Sequence, residues 1–245
     1  MLNGEKAMQE ALALLSPPAQ HSGSRGVELF HSIIRQKHSR QIERGIQHPE
    51  VEIRKVWKEV LAALNNEGLY TGAITAESIE RVAVEYECLV NPVWPMPGLK
   101  DILKKLAKRL HLGIVSNAQF YTPLLFPALL GDSHDHLGFK EDLCFWSYRH
   151  LQAKPSAALF IALKNSLEKS YNILPAEALY VGNDLLNDIM PAAKLGFKTA
   201  LFAGDSRSLK LREDDPRTVN TEADIIITSL AQLQSVIAGN TYVCK

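Results

Sequence analysis

Cysteine is scarce and scattered. Cys88, Cys144 and Cys244 are the only 3 among 245 residues, and they have neither metal-ligand spacing nor the even count of a disulfide framework. An excess of one charge sign is missing too, because 27 basic side chains balance 27 acidic ones. That balance excludes a general attraction to nucleic acid or to an anionic membrane. No apolar run reaches the roughly 18 residues of a transmembrane helix. The opening MLNGEKAMQE lacks the basic flank and apolar stretch of a secretory signal. Internal repeats and low-complexity segments are likewise absent. What remains, at 46% hydrophobic residues, is an ordinary globular composition. The expectation is a cytoplasmic enzyme or binding protein.

Two grammars divide the chain. Up to about residue 95 the apolar residues keep helical spacing and no strand stands out. Ile53, Val56, Trp57, Val60, Leu61 and Leu64 mark one helix face. Ile79, Val82, Ala83, Tyr86 and Leu89 mark another, behind a Thr75 cap. Val27, Phe30, Ile33 and Ile34 suggest a third, with breaks at Ser16-Pro17-Pro18 and His48-Pro49. After Pro97-Gly98 comes a helix bearing Leu99, Ile102, Leu103, Leu106 and Leu110. Short apolar runs then alternate with helices. The runs are Leu112–Val115, Leu143–Trp146, Ala178–Val181, Thr199–Phe202 and Asp224–Ile227. This predicts an α/β fold with a doubly wound, mostly parallel, Rossmann-like sheet covered on both faces.

Ligands of such sheets bind beyond the carboxyl ends of the strands, so polar residues there are the candidates. Ser116-Asn117 follows one run, Lys154-Pro155 another, and Gly182-Asn183-Asp184-Leu185-Leu186-Asn187-Asp188 a third. A hydroxyl, an amide and an ammonium can hold phosphate oxygens, and hard carboxylate oxygens suit magnesium. Each residue also has a plainer reading. A serine after a strand caps turns, a lysine before proline sits on surfaces, and Asp184 and Asp188 are favourable charges in a first helical turn. Their order on successive strand ends favours function.

Together these stretches resemble the haloacid dehalogenase-like hydrolases, mainly magnesium-dependent phosphatases. LGIVSNA (112–118) is similar to the family's second motif, Lys154 in QAKPSAALF to its third, and YVGNDLLNDI (180–189) to its acidic fourth. The likeness covers about residues 95–230. It implies a core at 96–245, an all-helical cap inserted at 16–95, and a first core helix at 1–15. It also implies roles for the residues at these motif positions. Ser116 and Asn117 would bind the phosphoryl group, and Lys154 would stabilise the nucleophile and the phosphoryl charge. Asp184 and Asp188 would hold or orient magnesium. Asn183 stands where many members carry the motif's first acid, so the resemblance leaves open which of Asn183, Asp184 and Asp188 ligates the metal, with Asp184 favoured through a one-residue shift. The implied substrate is a small phosphomonoester, with the cap excluding water and choosing it. Dehalogenation ranks lower, since it does not need the acidic metal motif.

One part of the resemblance is missing. The family's first motif, Asp-x-Asp on a strand near the amino terminus, supplies the carboxylate that becomes an aspartyl-phosphate. The first aspartate here is Asp101, inside an amphipathic helix. Losing that central strand would part its neighbours by roughly 9–10 Å and leave buried backbone groups unpaired. The expectation is therefore a truncated and inactive hydrolase. The alternative is a non-catalytic descendant, acting as a phosphometabolite-binding or scaffold module.

The remaining candidates carry plainer readings. His134-Asp135-His136 reads as a solvated loop without a third metal ligand. Arg35, Lys37, Arg40 and Arg44 read as a solvated helix face, and Trp57 and Trp94 as packing. No Gly-x-Ser-x-Gly elbow occurs. The charged stretch Ser206–Asp215 follows a strand closely enough to reach the ligand end of the sheet.

Overall fold

Residues 4–90 turn their apolar periodicity into four helices: α1 (Gly4–Ala13), α2 (Gly23–Glu43), α3 (Ile53–Asn66) and α4 (Ala76–Val90). The structure, a computed structural model, describes residues 2–19 and 22–239; Cys244 lies outside them. Thr75 caps α4 as expected, in a reciprocal capping box with Ser78. The chain divides into two units, the first running to Trp94 with the short stretch Gln119–Tyr121 added to it.

In the helical unit Trp57, Val60, Leu61 and Leu64 of α3 are fully buried together with Ala7, Met8, Ala11 and Leu12 of α1. Residues 1–15 were expected to belong to the sheet core, and the placement of α1 corrects this. Its apolar face is spent against α2 and α4. Gly26 permits the approach, since a Cβ there would lie 2.7 Å from Met8 Cγ. Trp57 packs as expected, whereas Trp94 does not, being 67% exposed. Arg35 and Arg40 are exposed on α2, as is Arg44 just after it, and Lys37 pairs with Glu59 at 2.5 Å.

The second unit starts at Pro95, one residue before the expected boundary. It runs α5 (Leu99–Leu106), β1 (Leu112–Ser116), α6 (Leu125–Leu130), β2 (Phe139–Trp146), α7 (Ser147–His150), α8 (Ala158–Ser166) and β3 (Leu179–Gly182). After β3 come α9 (Met190–Lys194), β4 (Lys198–Phe202), β5 (Ile225–Ile227) and α10 (Gln232–Ile237). Helix α5 ends at Leu106, short of Leu110, and the N–H groups of Arg109 and Leu110 both donate to the Leu106 carbonyl. Val115, Leu143, Leu159, Phe160, Leu163 and Phe197 share one core, which α8 closes. Phe202, Ile227 and Leu233 form a smaller one beneath α10. Among the described residues no helix is long and apolar enough to cross a membrane.

All strand pairings are parallel, as the alternation of strands and helices predicts, but they form two sheets. One holds β1 and β2, and the other holds β3, β4 and β5 in that order. No strand among the described residues joins β1 to β3. A mostly apolar cavity of about 830 Å³ lies there, lined by Leu112 and Gly113 of β1, Leu179 and Val181 of β3, and Leu163 and Val236 from helices. Near the carboxyl end of β1, side chains serve in place of a neighbouring strand. The Val115 carbonyl accepts from the Tyr180 hydroxyl and from Lys154 Nζ, each at 3.2 Å.

Candidate functional site

Three strand ends of the second unit converge on Lys154. β1 delivers Ser116 and Asn117, and the Asn117 side chain is latched to the Lys154 backbone. Lys154 N–H donates to Asn117 Oδ1 at 2.7 Å, and Asn117 Nδ2 donates back to the Lys154 carbonyl at 3.3 Å. Ser116 Oγ donates to the Asn117 carbonyl at 3.2 Å. From this fixed backbone Lys154 reaches inward and donates to Asp188 Oδ1 at 2.5 Å. Their side chains are only 11% and 6% exposed.

Asp188 sits where it does because the chain after β3 makes a one-turn π segment, Leu185–Ile189, a departure from α geometry that recurs at functional sites. The segment turns Asp188 back so that its Oδ2 accepts the N–H groups of Asn183 and Asp184, both at 3.1 Å, and its Oδ1 also accepts the Tyr180 hydroxyl at 3.2 Å. Only glycine fits at position 182, where a Cβ would come within 2.3 Å of Asp188 Cβ. Burial, and then the Asp188 carboxylate, push the Tyr180 phenol well above its usual range, so it stays a proton donor.

Asp184 opens the segment and caps it, accepting the N–H groups of Leu186 at 3.0 Å and Asn187 at 3.1 Å. It also meets Arg212, whose Nη2 donates to Asp184 Oδ2 at 2.6 Å and whose Nε donates to Oδ1 at 3.2 Å. The plainer reading of Asp184 as a first-turn charge therefore holds alongside any functional one. Asn183 turns away from the carboxylates, its amide donating to the Ser208 carbonyl at 2.6 Å. Ser116, Asn117, Lys154 and Asp188 thus form one connected set, Asp184 adjoins it, and the Asn183 side chain does not. Sequence reasoning missed Tyr180 and Arg212. The only signal for Arg212 was its place in the charged loop after β4, which a bridge between Asp184 and Lys210 pins beside the segment.

Magnesium demands near-octahedral oxygen coordination. The oxygens of Asp184 are taken by Arg212, Asn187 and backbone N–H groups, and those of Asp188 by Lys154, Tyr180 and backbone N–H groups. Each carboxylate therefore already faces a cation. This donor set, as arranged, does not fit magnesium.

The same contacts fix a pH dependence. Burial raises the Asp184 carboxyl, but Arg212 and the N–H groups of Asn187 and Leu186 outweigh it, leaving the group below its ordinary 3.8. A depressed folded value means stability that is present above the unfolded value and is lost as pH falls through the folded one. Arg212 is 40% exposed, so solvent screening limits the pair to about 0.5–1 kcal/mol. Arg212→Gln is expected to cost that much at neutral pH. Urea melts should show the gap between variant and wild type closing as pH drops below 3.8.

The second unit also places His134 Nε2 3.0 Å from Glu141 Oε2, so His134 is not the plain solvated loop residue expected.

No protein-family model and no curated protein matches this sequence. Solved structures do match its fold. A 2-haloacid dehalogenase from Pseudomonas syringae pv. Tomato DC3000 aligns with a TM-score of 0.60 at 19% identity, over 97% of this chain and 91% of that one. The HAD-hydrolase YfnB from Bacillus subtilis, solved bound to magnesium, aligns at 0.50 and 20% identity over 96% and 93%. The defluorinating L-2-haloacid dehalogenase Rha0230 aligns at 0.52 and 13% identity over 96% and 89%. At these identities the likeness establishes the fold: this chain has the haloacid dehalogenase-like α/β architecture with a helical cap.

Proposed function

We propose that this chain carries a hydrolase-type site for small phosphomonoesters, in which Ser116, Asn117 and Lys154 hold the phosphoryl oxygens. The observation that carries this reading is the latch between Asn117 and the Lys154 backbone. It holds the strand ends carrying Ser116, Asn117 and Lys154 side by side before any ligand arrives, so that a multiply charged anion, drawing the Lys154 ammonium from Asp188, would meet a hydroxyl, an amide and an ammonium together. Magnesium has no step in this reading, because the oxygens of Asp184 and Asp188 are already engaged. For the same reason neither carboxylate is free to attack phosphorus. The polypeptide is expected to bind phosphomonoesters with turnover at or near background.

Titration calorimetry with inorganic phosphate tests the binding. Saturable binding is expected, weakened roughly 3- to 10-fold in Ser116→Ala, the effect of one hydrogen bond worth about 0.5–1.5 kcal/mol. Absence of binding to the wild-type chain would overturn the reading. In a p-nitrophenyl phosphate assay, robust turnover abolished by Asp184→Ala would show that an attacking group had been overlooked.

The engagement of both carboxylates by Lys154 and Arg212 also favours a second reading, a non-catalytic module that binds phosphometabolites. Tight binding of one phosphometabolite, with no turnover of any phosphomonoester tried, would support it.

A further inference from the structure

The geometry points to a zinc site, formed by His134 Nε2, Glu141 Oε2 and Cys144 Sγ, away from the phosphoryl-binding strand ends. Ligand atoms of these three residues lie within 4.8 Å of one another, and they are the one such group of three or more among the described residues.

The sequence hides this set because Glu141 and Cys144 are three apart on one strand. A regular strand would send them to opposite faces. Strand β2 is not regular there. Leu112 pairs with Phe139 and Ile114 pairs with Cys144, so two steps along β1 match five along β2. The extra residues form a bulge, a device that re-aims side chains, and here it brings both ligands to one side. The turn before β2 supplies the third. Gly138 N–H donates to the Asp135 carbonyl and Phe139 N–H to the His134 carbonyl, folding the loop back over the strand. The His134 ring is then held against Phe126 and Trp146, with centroids 5.9 and 6.1 Å away.

The donor types select the metal. Nitrogen, sulfur and one carboxylate oxygen suit a borderline ion such as zinc and not magnesium or calcium. Three protein ligands leave a fourth tetrahedral position for water. Arg149 Nη1 holds the other oxygen, Glu141 Oε1, at 2.9 Å, as an outer partner that orients a ligating carboxylate. Binding breaks the Cys144 S–H bond, forms a sulfur–zinc bond and releases the proton to solvent. Burial, and then the Glu141 charge, push the free thiol up to about 12, so Cys144 is unreactive until a cation displaces that proton. The bound ion would staple the loop at 131–138 to β2.

The full chain, reduced and stripped with chelator, is titrated with zinc chloride against a chromophoric competitor, and in parallel with cobalt chloride. One equivalent is expected to bind, and cobalt is expected to give a thiolate charge-transfer band. Cys144→Ser should remove the band and weaken zinc by more than about 100-fold, beyond the cost of losing an outer partner. His134→Gln, at the loop, should also weaken zinc and serves if Cys144→Ser fails to fold. A Cys88→Ser/Cys244→Ser double variant should keep both signals. No zinc uptake by the wild type overturns the site, as does undiminished binding in folded Cys144→Ser or in His134→Gln, or a band lost in the double variant.

Discussion

Asp188→Asn is expected to destabilise the second unit by about 3–5 kcal/mol, the usual cost of removing one partner from a buried ion pair. Lys154 Nζ lies 2.5 Å from Asp188 Oδ1 and has little access to water. Its other neighbours are the Val115 carbonyl and the Tyr180 hydroxyl. Neutralising Asp188 leaves the ammonium without a counter-charge. The new amide group must also face Lys154 or the N–H groups of Asn183 and Asp184, and it cannot accept from all of them. Urea unfolding followed by circular dichroism measures the loss. The double variant Lys154→Met/Asp188→Asn should recover part of it, because no charge is then left buried. The cycle should give a coupling of about 1–3 kcal/mol. A loss below about 1 kcal/mol for Asp188→Asn alone, far short of the buried-pair cost, would mean that water reaches Lys154.

Trp57→Ala should have a comparable effect on the helical unit, about 3–5 kcal/mol for a large aromatic removed from a packed core. Trp57 is 1% exposed. Its ring meets Phe30 of α2 at 5.2 Å and Tyr86 of α4 at 5.4 Å, and Phe30 and Tyr86 meet each other at 5.3 Å. Three helices therefore share one aromatic cluster, and truncation opens a cavity at their junction. Hydrogen exchange can locate the damage. Protection should fall in α2, α3 and α4 more than in β3 and β4. Equal losses in both units would contradict a cavity confined to the helical core.

Local signals made much of this architecture legible. The three-to-four spacing from Ile53 to Leu64 reports directly which face of α3 is buried. Thr75 announces the start of α4, because a side-chain oxygen there serves an N–H group three residues on. The apolar runs Leu112–Val115 and Ala178–Val181 give β1 and β3 to within a residue at each end, and the strand-end rule then directs attention to Ser116, Lys154 and Asp188.

What stayed hidden depended on distant partners. Strand β2 begins at Phe139, ahead of the apparent run from Leu143, because Lys140, Glu141 and Asp142 occupy the bulge and obscure the alternation. No local pattern shows that Arg212 meets Asp184, 28 residues away. The expected role of Asp184 and Asp188 as magnesium ligands came from residue types. The structure instead supplies their charge partners from within the chain. The strands lie in two separate sheets, β1 with β2 and β3 with β4 and β5, a division that no local pattern shows. The capture of the Val115 carbonyl by Tyr180 and Lys154 was not foreseeable from spacing.

In the proposed site the strand ends at Ser116 and Lys154 hold one phosphoryl group between them. A nuclear magnetic resonance titration of the uniformly nitrogen-15-labelled chain with inorganic phosphate tests it most directly. Saturable shifts, with one affinity, are expected at the amides of Ser116, Asn117 and Lys154. Shifts confined to the basic stretch Arg35–Arg44, or no saturable shift at the three strand-end amides, would contradict it.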